Sequence, residues 1–255
     1  MRRQLAIAAA LAGVLGYGVT AQAADIKVLT TGAMKEVVLA VVPAYEKESG
    51  NKVIVSNDTA GAIAKRVEGG EGFDLCILTP AAIKDLTQKG KFAAGSAANV
   101  ARVGVGVVVK AGAPSPDIST VEAVKKALLA AKSVAYIDPA AGGSSGIYVA
   151  GLLDKLGIAG EIKPKAKLKN GGYVADLVAS GEAELGLHQI SEILAVKGVH
   201  LVGPLPAEIQ NYTTYAAAVG AQAQHAEAAQ ALLRRLTGPE AEPVLKERGM
   251  ERPPA

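Results

Sequence analysis

The stretch IKVLTTGAMKEVVLAVVPAYEKESGNKVIVS, Ile26 to Ser56, decides the fold. Ile26 to Thr30 is a short apolar, β-rich run and reads as a strand. Met34 to Ser49 reads as a helix closed by Gly50, because glycine readily ends a helix. Lys52 to Ser56 reads as a second strand. The rhythm continues outward from there. Ala60 to Val67 is a helix stopped by Gly69-Gly70, Leu75 to Leu78 a strand, and Ala81 to Lys89 a helix. A β-α-β-α order implies a mostly parallel sheet with helices on its faces. Such sheets bind ligands at the carboxyl ends of their strands.

Val103 to Lys110 is a long β-rich run, broken by Ala111-Gly112-Ala113-Pro114-Ser115-Pro116. A second alternating set follows. Helices are expected at Val121–Ala131, Ser145–Leu156, Tyr173–Ser180 and Ser191–Val196, and strands at Ser133–Ile137, Glu184–His188 and His200–Val202. Tyr212 to Val219 is again β-rich, and helices follow around Ala226–Leu236 and Glu240–Glu247. The fold class is therefore α/β with two lobes. Crossings are expected near Val103–Val107 and Tyr215–Val219. Lobe I then holds residues 24–103 and 217–255, and lobe II holds 104–216. The cleft between two such lobes is a place for a small ligand, and hinged closure is the expected motion.

Composition narrows the possibilities. The chain has 255 residues, half of them hydrophobic, which is enough for a substantial core. Arg2-Arg3, an apolar run from Leu5 to Val19 and Ala21-Gln22-Ala23 read as a secretory signal peptide over residues 1–23, cleaved near Ala23. That points to the periplasm and leaves the Sec and Tat routes open. The formal charge of +3 includes both leader arginines, so the remainder is close to neutral. Neither the charge nor a basic-aromatic patch makes a case for nucleic acid. Cys76 is the single cysteine and reads as a buried strand residue, so no internal disulfide or cysteine zinc cluster can form. No metal-ligand cluster stands at short spacing, and no cofactor is expected. A monomer is expected.

Small polar residues mark four junctions between strand and helix: Thr30-Thr31-Gly32-Ala33-Met34, Asn57-Asp58-Thr59-Ala60-Gly61, Gly142-Gly143-Ser144-Ser145-Gly146 and Asn170-Gly171-Gly172-Tyr173. Helix starts leave N–H groups free at a positive dipole end. Glycine and alanine let an anion approach the backbone, and hydroxyls add donors. One such junction is explained by ordinary capping. Four of them on both lobes suggest a shared anion site.

Gly142 to Gly146 also fits G-x-S-x-G, which presents a nucleophilic serine in α/β-hydrolases. That turn leads directly from strand into helix, whereas Asp138-Pro139-Ala140-Ala141 intervenes here. No HGGG-type segment is present, and no histidine is singled out as a partner. Ser144 and Ser145 read better as part of a cradle. His188 and Glu192 are the other chemically interesting pair, at a strand end and the following helix start. They could serve as a base, or His188 could be a satisfied core residue.

The ordered stretches Ile26–Met34, Ala62–Gly70, Phe73–Ile77, Gly146–Tyr148 and Gly181–Gly186 resemble the periplasmic molybdate-binding proteins of ABC importers over nearly the whole chain after the leader. The resemblance implies a type II periplasmic binding fold, an anion in the cleft and an inner-membrane ABC permease as partner. The family's binding serines fall on Ala33 and about Ala60, with Thr59 beside it. Its backbone donors fall near Ser145 and Gly172, and its binding tyrosine falls on Gln189. The expected ligand-binding residues are Thr31, Gly32, Ala33, Thr59, Ala60, Gly61, Ser144, Ser145, Gly172, Tyr173 and Gln189. Each lost bond to a charge is worth roughly 1.5–3 kcal/mol, so the lost hydroxyls weaken molybdate and favour a larger organic anion. The chain also looks like the bacterial aconitate isomerases, which use the same scaffold. Under that resemblance His188 and Glu192 become the catalytic pair, moving an allylic proton between carbons. The expected function is capture of a small anion, with isomerisation of aconitate as the alternative.

Overall fold

The computed structural model describes residues 23–254; the expected leader, apart from Ala23, lies outside them. Strands β1 (Asp25–Thr31), β2 (Lys52–Asp58) and β3 (Leu75–Leu78) alternate with helices α1 (Gly32–Ser49), α2 (Ala60–Glu68) and α3 (Pro80–Gln88). In α1 the buried residues Ala33, Met34, Val37, Val38, Val41, Val42 and Tyr45 recur every three or four positions and so share one face. Gly50 ends the helix in the left-handed region (φ 74°), and its N–H returns to the Glu46 carbonyl. β1 lies parallel to both β2 and β3. All four residues of β3 are buried, as suits a strand covered on both faces.

β4 (Ala98–Lys110) joins the two halves of the molecule. Its first part pairs antiparallel with β9 (Tyr212–Val219), from Ala98 opposite Ala217 to Gly104 opposite Tyr212. From Val105 onward it changes partners. The second half of the chain supplies α4 (Val121–Ala130), β5 (Val134–Ile137), α5 (Ser144–Lys155), α6 (Ala159–Ile162), β6 (Ala166–Lys169), α7 (Ala175–Ser180), β7 (Leu185–Gln189), α8 (Ile190–Ile193) and β8 (Val199–Pro204). β7 pairs with Val105–Val109 of β4, and β8 pairs with Gly106–Lys110. The strand order is β2-β1-β3-β9-β4-β7-β5-β6. After β9, α9 (Ala226–Thr237) and α10 (Glu242–Glu247) pack back on the first half, and β10 (Met250–Glu251) pairs with β4.

Each half has apolar clusters of its own. One set gathers Ile26, Met34, Leu75, Ala217 and Leu232, with Leu29, Cys76 and Leu86 in a companion cluster. The other set gathers Val105, Leu128, Leu152 and Leu187, with Val108, Ile137 and Val178. This is the two-lobe α/β arrangement.

The second crossing lies upstream of the expected Tyr215–Val219. Tyr212 already pairs within the first half, so the chain returns through the segment before it. Gln210 tidies that crossing. Its carboxamide accepts from the Val105 N–H (2.8 Å) and donates to the Val105 carbonyl (3.0 Å), imitating a strand partner where β4 changes neighbours. The fourth junction also differs in detail. The helix after it starts at Ala175 rather than Tyr173, and Gly172 sits at φ 70°, a turn that glycine makes without strain. Among the described residues no helix is long and apolar enough to cross a membrane.

Candidate functional site

The carboxyl ends of β1, β2, β5 and β7 converge on one cleft. Its volume is ≈ 30 Å³, within ≈ 390 Å³ of atom-free space that includes open solvent. The first half contributes Thr31, Gly32, Ala33, Asn57, Asp58, Thr59, Ala60 and Tyr215. The second half contributes Ile137, Gly143, Ser144, Ser145, Gly172, His188, Gln189 and Glu192.

The long helices α1 and α5 begin at the cleft without a side-chain cap. Thr31 stands at the N-cap of α1 and Gly143 at the N-cap of α5, and neither gives a capping bond. The first-turn amides of both helices therefore lack a side-chain partner. α2 differs: Thr59 Oγ1 accepts from the Ala62 N–H and donates to the Ala141 carbonyl (2.6 Å). Three buried polar atoms on the lining have no partner: Thr31 Oγ1, His188 Nδ1 and Gln189 Oε1. Gln189 Nε2 donates to Thr213 Oγ1 (2.9 Å) and more weakly to Tyr215 Oη (3.4 Å), which leaves the carboxamide oxygen free. Buried unpartnered polar atoms are costly, so three around one cleft mark it as a place where a polar ligand would be favoured.

The Gly-Ser run resolves into a packing device. A Cβ on Gly146 would lie 2.4 Å from the Ile137 carbonyl oxygen, and one on Gly143 would lie 2.7 Å from Ile137 Cγ2. Glycine at both places lets α5 start hard against β5. Ser144 is the first residue of that helix, and no hydrogen bond joins it to His188 among the described residues. Ser144 and Ser145 both lie on the cleft lining.

His188 and Glu192 both face the cleft. Glu192 Oε2 lies 3.3 Å from His188 Nε2. The other oxygen, Oε1, presses on the start of α1, where a Cβ on Gly32 would be 2.4 Å away. Burial pushes His188 down to about 3, with Lys169 adding to the effect, and burial pushes Glu192 up to about 8. Both displacements favour uncharged forms, so the pair is neutral overall near pH 7. Among the described residues no lysine or arginine lines the cleft, and its other acid is Asp58.

Of the residues expected to bind, Gly61 and Tyr173 do not line the cleft. They hold its two sides together. The Gly61 N–H donates to the Gly142 carbonyl (3.0 Å). Tyr173 Oη donates to Glu36 Oε1 (2.7 Å), and Lys35 lies over the tyrosine ring. Ser191 Oγ adds a bond to the Ala33 carbonyl (2.9 Å). The other expected residues all lie on the lining. Asn57, Asp58, Ile137, Gly143 and Tyr215 line the cleft as well, beyond the residues expected from sequence. Asn57 and Asp58 belong to a junction already visible in the sequence, and Tyr215 shares a strand face with Thr213.

The sequence model of the family described as bacterial extracellular solute-binding protein matches residues 26–251. The chain belongs to this family. The solute-binding protein is similar to an aconitate isomerase of Pseudomonas sp., 35% identical over 234 residues, which is 89% of this chain and 88% of that one. It is also similar to the molybdate-binding protein ModA of Azotobacter vinelandii, 29% identical over 92% of this chain and 94% of that one. Among solved structures, the Azotobacter vinelandii periplasmic molybdate-binding protein superposes with a TM-score of 0.73 at 21% identity, covering 90% of this chain and all of that one. The sulfate-binding protein SubI of Mycobacterium tuberculosis gives 0.71 at 20% identity, covering 90% and 87%. These two structures share the fold, two α/β lobes around a cleft. The family supports an anion-binding role.

Proposed function

We propose that this solute-binding protein holds a small organic polycarboxylate in its cleft and shifts a proton on it, as an isomerase of the aconitate type. The observation that carries the reading is the buried His188–Glu192 pair on the cleft lining. A protein that only captures an anion needs donors. An acid and an imidazole facing that anion cost stability, and titratable groups displaced by burial cluster where proton transfer occurs. The relative with 35% identity being an aconitate isomerase supports the same reading.

The chemistry balances without a cofactor. A base removes the allylic proton from the methylene carbon of trans-aconitate. The freed electron pair forms the new double bond, and the old double bond takes a proton at its far carbon. The neutral His188–Glu192 pair holds one proton that can sit on Nε2 or Oε2. With the proton on His188, Glu192 is the base; with it on Glu192, the carboxyl is the acid. The free first-turn amides of α1 and α5 hold carboxylates and stabilise the delocalised negative charge of the intermediate.

A second reading is supported by the other half of the lining. The uncapped helix starts, the unpartnered Thr31 hydroxyl and, among the described residues, the absence of lysine and arginine from the lining also describe a neutral cradle for simple capture. In that case the protein hands its anion to an inner-membrane ABC permease. In both readings it works as a monomer in the periplasm. Proton NMR of trans-aconitate incubated with the leaderless protein separates the two. Appearance of the cis isomer, lost in His188→Ala, supports the isomerase. Tight binding without turnover selects capture.

A further inference from the structure

Glu192 occupies an unusual position for an acid. Its carboxyl reaches across from the second half and stands against Gly32, the first residue of α1, where the free amides of that helix begin. A guest held by those amides would lie beside the carboxyl. Among the described residues no fixed positive charge lines the cleft to offset the encounter. An ionised Glu192 and a bound anion would repel each other in a site with little water to screen them.

We propose that the cleft admits its anion only while Glu192 carries a proton, so that above neutral pH each ligand enters together with one proton. The inference rests on the anion-binding reading but not on turnover. The protonated carboxyl then puts no negative charge beside the guest, and Glu192 is a specificity-determining contact as well as a proton holder.

Several ionisable groups face this carboxyl or its partner. His188 of β7 lies 3.3 Å from it, and Lys169 at the end of β6 acts on His188. Tyr215 of β9 and Tyr173 before α7 both feel its charge, and Arg248 and Glu36 act on Tyr173. Asp58 of β2 shares the lining. Burial raises both tyrosines above their ordinary range and lowers His188. Of the groups that burial displaces, only Glu192 lands in the range between neutral and mildly alkaline pH.

Calorimetry with citrate and with trans-aconitate tests this, run at pH 6.5 and pH 9 in buffers of different ionisation heat. Proton uptake near zero at pH 6.5 and near one at pH 9 is expected, with affinity falling about tenfold per pH unit above about 8. Glu192→Gln, which imitates the protonated carboxyl, is expected to bind at both pH values and to lose the alkaline slope. A wild-type affinity that stays flat from pH 7 to 9.5, or a slope that survives in Glu192→Gln, overturns the proposal. A second readout needs no ligand. The infrared difference between wild type and Glu192→Gln at pH 7 is expected to contain a protonated-carboxyl C=O band; a carboxylate band alone overturns the proposal. Loss of turnover leaves both readouts intact, so failure of the isomerase reading is distinguishable.

Discussion

Substituting Gly61 by alanine separates closure of the cleft from stability of the fold. Gly61 lies in the first turn of α2, at a conformation open to any residue, since its φ is not positive. Alanine favours a helix over glycine by about 1 kcal/mol, so the lobe itself should not be weakened. Across the cleft, however, the added Cβ would lie 2.8 Å from Gly142 Cα, where carbon atoms prefer about 3.5–4.0 Å. The neighbour is backbone, so the clash is relieved only by moving the lobes apart. That movement breaks the bond from Gly61 N to Gly142 O and strains the one from Thr59 Oγ1 to Ala141 O. Each is worth about 1 kcal/mol, and overpacking adds about 1–3 kcal/mol. The closed state should lose about 3 kcal/mol, which is roughly a hundredfold in affinity. Isothermal calorimetry with trans-aconitate or citrate measures the loss, and urea unfolding checks that the fold is unharmed. Wild-type affinity in Gly61→Ala would refute the claim that the two glycines set the closed distance. Gly142 is the poorer choice, because its φ of 73° would add backbone strain to the clash.

Tyr173→Phe removes the hydroxyl bond to Glu36 but keeps the ring beneath Lys35. Stopped-flow should show ligand release several-fold faster with association unchanged, consistent with about 1 kcal/mol; an unchanged release rate would rule out a latch. Ser145→Ala should weaken anion binding about tenfold to a hundredfold by calorimetry, since a hydroxyl bond to a charge is worth roughly 1.5–3 kcal/mol, and unchanged affinity would remove Ser145 from the cradle. Glu192 predicts the alkaline behaviour of the fold. Its carboxyl is raised from 4.5 to about 8 by burial, so the folded chain keeps a proton that the unfolded chain releases. That stability is full below pH 4.5 and is lost as pH rises through about 8, up to about 5 kcal/mol at most. Urea midpoints at pH 6 and pH 9 should therefore diverge in wild type and converge in Glu192→Gln.

The alternation of strand and helix was legible because each signal is local. Gly50, Gly69-Gly70 and the Thr or Gly-Ser starts punctuate the chain within a few residues of the elements they bound. The junctions were legible for the same reason, and Thr31, Thr59, Ser144 and Ser145 do meet at one cleft. Residue roles that depend on distant partners were not legible. Nothing near Gly61 says that it touches Gly142, and nothing near Tyr173 says that Glu36 awaits its hydroxyl. Both therefore looked like binding residues rather than clasps. The second crossing was misplaced because β9 is one continuous β-rich run. Where such a run enters a sheet depends on its partner, and here Tyr212 opposite Gly104 sets the point.

Gly32 shows how the clasp and the chemistry depend on each other. In sequence it is a small residue at a helix start, and an anion cradle is sufficient reason for it. In the structure it also makes room for a carboxyl 160 positions away, since any side chain there would meet Glu192 Oε1. The contact that sets Glu192 at the free amides of α1 also sets it beside any guest those amides hold. Binding and proton transfer are then not separate inventions on this scaffold. A cleft that uses helix ends in place of lysine or arginine leaves the bound anion without a fixed countercharge. The site can accommodate an acid only if that acid is neutral, and a neutral acid beside an imidazole is already a proton donor with a base attached. On the proposed function, the proton that permits capture is the one that would serve isomerisation. Both functions should therefore fail together as pH rises through the titration of Glu192.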